Sequence, residues 1–210
     1  MINKNKDWHT IIFDWDNTLI DSNQSILDAM EYTRKQLNYD KPLQKDPHLL
    51  RKEYFLECFG EEKYRKAVDI FYNYLNENKN YEVTLYPNAK KLIQYLYSTN
   101  KNLYVISNKK ATKLREEVDK VGLTEYFIKI SGSGDTNNDK PHTDMLHHAL
   151  PNMLDNQNTV YIGDSITDLL FAQNCNIDFI LINEESMPQY SGYHHIKNHK
   201  ELLKFFNNDK

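Results

Sequence analysis

Two aspartates stand two residues apart directly after a short apolar run, in Phe13-Asp14-Trp15-Asp16-Asn17-Thr18-Leu19. In an extended strand alternate side chains share a face, so this spacing sets both carboxylates side by side. Two crowded carboxylates repel unless a cation joins them or one holds a proton, and either outcome can serve catalysis. A lone D-x-D is also what a solvated turn after a strand looks like. Further polar groups follow other apolar runs, however. Ser107-Asn108 closes the run 103–106 ahead of a helical pattern, where a hydroxyl and free backbone N–H groups suit an anion. Lys140 follows the run 127–130 in a loop rich in Gly, Asn and Asp, and the run 160–162 leads into Gly163-Asp164-Ser165-Ile166-Thr167-Asp168. Singly, Ser107 reads as a helix cap, Lys140 as a loop lysine and Asp164 and Asp168 as capping acids. Placed after successive strands, they read together as one site.

The elements that must position these groups are short. The runs 10–13, 103–106, 127–130, 160–162 and 179–182 have the length and apolar continuity of strands buried on both faces. Between them lie helical patterns: Ala89, Leu92, Ile93 and Leu96 after Pro87, and Ala111, Leu114, Val118 and Val121 before Gly122. Alternating strands and helices predict an α/β sheet of mainly parallel strands, which binds ligands at the carboxyl ends of its strands. The alternation breaks once, between the first run and the second. Ile26, Leu27, Met30 and Leu37 suggest one helix there, Leu50, Tyr54 and Cys58 a second, and Tyr64, Ala67, Val68, Phe71 and Leu75 a third, with Pro42 and Pro47 as interruptions. This predicts a helical insertion over 22–84 within a core formed by 1–21 and 85–210. The polar ends are expected to fray.

Composition excludes several classes. With 210 residues, 40% hydrophobic and 27% charged, the chain can bury a core and is not low-complexity. The net charge of −4, from 26 basic and 30 acidic residues, offers no general attraction to nucleic acid or to an anionic membrane. No apolar stretch reaches the roughly 20 residues of a membrane span, and the polar start lacks a secretory signal's apolar segment, so a cytoplasmic protein is expected. Cys58 and Cys175, far apart, suit neither a disulfide framework nor a thiolate zinc site.

In order and spacing these residues resemble the four motifs of the haloacid dehalogenase superfamily: D-x-D-x-T, a Ser or Thr, a Lys, and G-D-x-x-x-D. The resemblance covers almost the whole chain. It includes the helical insertion, which is similar to the small cap of the phosphoglycolate-phosphatase-like branch. It implies a three-layer, Rossmann-like α/β core with a mainly parallel five-stranded sheet and an inserted all-helical cap. It also implies Mg²⁺-dependent hydrolysis of a small phosphorylated metabolite. Asp14 would be the nucleophile that forms an aspartyl-phosphate, and Asp16 the general acid and base. The metal would lie between Asp14, the backbone carbonyl of Asp16 and Asp164. Ser107, Lys140 and backbone N–H groups near Asn108 would hold the phosphoryl oxygens, with Asp168 and Thr18 supporting them from behind. The family's dehalogenases lack an acid at the position of Asp16 and its phosphonate-cleaving members carry a small residue there, so Asp16 argues for phosphate esters. Asn17 replaces a commoner glycine but tolerates a left-handed backbone. The segment 169–176 is bulkier than the Ala- and Gly-rich helix of that branch. Phosphomutase or pyrophosphatase chemistry through the same intermediate is the alternative among enzymes. A non-catalytic phosphoacceptor or binding module is the alternative outside them.

Other signals read as structural. Gly132-x-Gly134 lacks the third glycine and the helix of a dinucleotide fingerprint and suggests a loop. Cys58 lacks the arginine of a cysteine phosphatase and suggests core. His194, His195 and His199 suggest a solvated surface cluster. Lys109-Lys110 is too short for nucleic acid and suggests a helix start near the phosphate.

Overall fold

The computed structural model describes residues 6–43, 51–77, 82–151, 158–183 and 190–207, with the side chains of Arg51 and Lys52 excepted. Pro47 and Leu50 lie outside the described residues. The elements in chain order are β1 (Thr10–Phe13), α1 (Asn23–Gln36), α2 (Arg51–Glu77), α3 (Ala89–Ser98), β2 (Asn102–Lys110), α4 (Ala111–Lys120) and β3 (Lys129–Ser133). They continue with α5 (Asp144–Ala149), β4 (Thr159–Gly163), α6 (Ile166–Asn174), β5 (Asp178–Ile182), β6 (His194–Ile196) and α7 (His199–Asn207). The chain divides into two compact units, Met1–Asp21 with Val83–Lys210, and Ser22–Glu82.

In the first unit all described strand pairs are parallel, in one sheet ordered β3-β2-β1-β4-β5-β6. Ile12, Ile106, Tyr161, Phe179 and Leu181 point to one face, where Met145 of α5 and Leu169, Phe171 and Ala172 of α6 cover them. The residues of opposite parity, Ile11, Phe13, Leu103, Val105, Val160, Ile162 and Ile180, are equally buried. Both faces are therefore covered, which is why the runs are apolar throughout rather than alternating. The expected α/β class holds, with one strand more than the five expected. The sixth, β6, has only three residues and pairs with β5 alone, at an edge. An edge strand needs no two-sided apolar run, so its His-His-Ile sequence carried no strand signal.

That segment also corrects the solvated histidine cluster. His194 and His195 lie in β6, and His199, which opens α7, is 4% exposed. Its ring stacks on Tyr86 with centroids 5.6 Å apart. Burial pushes its pKa down to about 4, against a backbone hydrogen bond at Thr18. The folded protein thus keeps His199 neutral where an unfolded chain, titrating near 6.5, takes up a proton. This contribution is fully present above pH 6.5 and is lost as pH falls toward 4, costing about 2 kcal/mol between pH 7 and 5. Urea unfolding of the wild type and His199→Phe at both pH values checks this. The loss on acidification should be smaller in the variant by that amount, and equal losses would refute it.

In the second unit, Ile26, Ala29 and Met30 of α1 pack with Phe55, Ala67 and Phe71 of α2, the last including an edge-to-face pair, Phe55–Phe71, at 5.5 Å. The second and third helices expected there run on as α2, broken at Gly60, whose φ of 69° and ψ of 173° interrupt the helix. Among the described residues no helix is long and apolar enough to cross a membrane.

Candidate active site

Strand register brings the acids together. Phe13 pairs with Ile162, and the Asp14 N–H donates to the Ile162 carbonyl at 2.9 Å, so Asp14 and Asp164 emerge from neighbouring strands at their carboxyl ends. After Asp14 the chain turns back: the N–H groups of Leu19 and Ile20 both reach the Trp15 carbonyl, at 2.9 and 3.2 Å. Asn17 takes φ = 59°, the left-handed value expected of it. Tyr86 N–H bonds the Leu19 carbonyl at 3.0 Å and fixes the turn from outside.

Lys140 is the hub. Its Nζ lies 2.8 Å from Asp14 Oδ1, 2.7 Å from Asp168 Oδ1 and 2.7 Å from the Tyr161 hydroxyl, in a buried setting. Tyr161 in turn donates to the Ile106 carbonyl at 2.7 Å. Asn108 anchors the Lys140 backbone from both sides: its Nδ2 donates to the Lys140 carbonyl and its Oδ1 accepts from the Lys140 N–H, each at 2.9 Å. Asp168 is held by a reciprocal cap, with Oδ2 accepting from Ser165 Oγ at 2.6 Å and from Ser165 N–H at 3.1 Å. Gly163 permits this fold-back. A Cβ there would sit 2.5 Å from the Asp168 Cβ and Cγ, so the glycine of G-D-x-x-x-D is required by close approach. Gly132 meets the same constraint. It lies in β3 rather than a loop, and a Cβ on it would meet Ala111 Cα at 2.5 Å.

Electrostatics separates the two acids of the first motif. Burial pushes the Asp14 carboxyl up to about 6, with the Lys140 ammonium opposing and the Asp168 charge adding to the rise. Burial alone would lower the Lys140 ammonium, but Asp14 and Asp168 hold it above its ordinary value. Asp16 turns to a different cation: Lys109 Nζ lies 2.7 Å from Asp16 Oδ1 and 2.8 Å from Glu117 Oε2.

The structure therefore joins Asp14, Lys140 and Asp168 directly and sets an oxygen of Asp164 within 4.8 Å of the other two acids. Ser107 and Thr18 are buried after the ends of β2's apolar run and of β1, but neither side chain bonds these groups. Ser107 Oγ accepts from the Lys109 N–H at 3.3 Å, and Thr18 Oγ1 is buried without a hydrogen-bond partner among the described residues. Sequence reasoning missed Tyr161, Glu117 and Trp15. Glu117 was legible as an acid on the stripe Ala111, Leu114, Val118 that α4 buries.

The sequence pattern of the haloacid dehalogenase-like hydrolases matches residues 11–182. The chain belongs to that family. Among curated members it is similar to a phosphoglycolate phosphatase of Rhodobacter capsulatus, 29% identical over 203 residues, covering 88% of this chain and 91% of that one. It is also similar to the pyrophosphatase PpaX of Oceanobacillus iheyensis, 25% identical over 175 residues and 80% of each chain. Among solved structures, a haloacid dehalogenase-like hydrolase from Streptococcus pneumoniae superposes with a TM-score of 0.79 at 25% identity, covering 95% of this chain and 98% of that one. The likeness is thus to the phosphatase members of the haloacid dehalogenase-like hydrolases.

Hydrolases of this family generally use a divalent metal, and the residues present fit one. Asp14, Asp164 and Asp168 are all oxygen donors, the preference of a hard cation. Three carboxylates against the one ammonium of Lys140 leave two negative charges in a small, largely buried volume. Both Asp168 oxygens are engaged, one by Lys140 and one by Ser165, and Asp14 Oδ1 faces Lys140 as well.

Proposed function

We propose that the protein is a phosphoric monoester hydrolase acting on a small phosphorylated metabolite of the phosphoglycolate type, through an aspartyl-phosphate on Asp14. The observation that carries this reading is the division of the acid pair between two cations, Asp14 with Lys140 and Asp16 with Lys109. Two carboxylates in different environments can take different roles. Asp14 attacks phosphorus while the ester bond breaks, and the departing alkoxide takes a proton from Asp16. Asp16, now a carboxylate, removes a proton from water, which attacks the aspartyl-phosphate and releases inorganic phosphate and free Asp14. Lys140 and Ser107 hold phosphoryl oxygens, assisted by backbone N–H groups near Asn108. Asp168 and Tyr161 keep the Lys140 ammonium in place. Asp14, Asp164 and the Asp16 carbonyl would hold a divalent cation such as Mg²⁺, which would supply the positive charge a carboxylate needs to approach a phosphate dianion.

A pyrophosphatase activity is a second reading, favoured by the PpaX relative. Phosphate release from phosphoglycolate, sugar phosphates, nucleoside monophosphates, pyrophosphate and 4-nitrophenyl phosphate separates the two. The expected result is preference for a monoester, with the rate falling about 100-fold or more in EDTA and returning with Mg²⁺. Preference for pyrophosphate would favour the second reading, and unchanged release in EDTA would refute the metal-dependent mechanism.

A further inference from the structure

Asp16 is held by a buried assembly to which the proposed reaction gives no role. Lys109, at the end of β2, bridges Asp16 Oδ1 and Glu117 Oε2, and the Trp15 indole N–H donates to that same Glu117 oxygen at 2.8 Å. Trp15 is fully buried, and the side chains of Lys109 and Glu117 are 9% and 4% exposed. An apolar pair would hold α4 to the sheet at least as well, since burying an ion pair costs desolvation that its attraction only partly returns. What an apolar pair could not do is reach Asp16. That side chain is 28% exposed, and its one hydrogen bond among the described residues is to Lys109 through Oδ1, which leaves Oδ2 available to carry and deliver a proton.

We propose that Glu117 is a positioning residue that acts through Lys109, fixing Asp16 by its Oδ1 so that Oδ2 is presented to the leaving-group oxygen. Trp15 locks the same strut from within the first motif, between the two acids whose roles differ. A shift of Asp16 by a fraction of an ångström degrades proton transfer without disturbing the Asp14–Lys140 centre, which has separate partners.

The inference rests on the reading of Asp16 as general acid, and the test separates the two. Alkyl phosphates need a proton on the departing oxygen, whereas 4-nitrophenolate leaves without one. Asp16→Asn, measured first on both substrate types as the single-turnover rate of phosphoryl transfer to Asp14, a step that precedes the need for a base, should lose far more rate with the alkyl ester. Glu117→Ala is then expected to lower this transfer rate about 10- to 100-fold for the alkyl ester, part of the 10²–10⁴-fold that a general acid supplies. It should lower the transfer rate less than about threefold for 4-nitrophenyl phosphate, with the half-saturating concentration of each substrate nearly unchanged. Glu117→Gln keeps an acceptor for Trp15 and Lys109, should recover much of the alkyl-ester rate, and carries the same comparison if Glu117→Ala does not fold. Equal losses on both substrates, or none on either, would overturn the positioning role while Asp16→Asn remains selective. If Asp16→Asn itself is not selective, the acid role fails and the inference with it.

Discussion

Asp14→Asn abolishes turnover, with kcat falling on the order of 10⁴-fold or more on every phosphate ester tested. The amide keeps the size of the side chain but is a far poorer nucleophile, and it removes one of the carboxylates that would hold the metal. Stability should change little or rise, because burial pushes the Asp14 carboxyl up and a neutral amide escapes that cost. Lys140 keeps Asp168 as a partner at 2.7 Å. Steady-state kinetics and a thermal melt on the same preparation check both parts. A variant that melts normally and retains full activity would exclude Asp14 as nucleophile.

Lys140→Met has the opposite balance, losing fold as well as function. Methionine fills much of the volume but leaves Asp14 and Asp168 buried without their shared cation, and the Tyr161 hydroxyl without its donor. Removing one partner of a buried ion pair costs about 3–5 kcal/mol. For a chain of this size that is a fall in Tm of roughly 10 °C. Activity should drop below detection even where the variant remains folded. Combining it with Asp168→Asn should restore part of the stability and none of the activity, because one of the two stranded charges is then gone. Calorimetry on the single and double variants tests this, and a Lys140→Met protein as stable as wild type would contradict the role of Lys140 as hub.

What the sequence made legible follows from strand ends. Buried parallel strands are apolar on both faces, so Asp14, Ser107 and Asp164 stand out where the apolar runs stop and Lys140 in the loop after β3, and parallel register puts Asp14 beside Asp164 without further information. Interactions perpendicular to that logic were not legible in the same way. Tyr161 looks like one more apolar residue within β4, since only its hydroxyl is polar and part of what it reaches depends on the Lys140 loop. Lys109 and Glu117 are neighbours through the packing of α4 beside β2, eight positions apart in sequence, and Trp15 joins them from another strand's end. His199 resembled a surface histidine because two others precede it, whereas the stacking on Tyr86 that buries it spans 113 positions. The turn after β1 was readable from Asn17 alone, since asparagine is among the few residues that accept its left-handed backbone.

The most direct test of the central claim is to find the phosphoryl group on the protein. In Asp16→Asn, 4-nitrophenyl phosphate can still transfer its phosphoryl group to Asp14, because the leaving group needs no acid, while hydrolysis of the intermediate lacks its base. A burst of 4-nitrophenol, with one phosphoryl group per chain trapped on the peptide containing Asp14 by rapid acid quench and mass spectrometry, is the expected result. Phosphate on any other residue, or continued turnover with no burst and no phosphorylated chain, would contradict it.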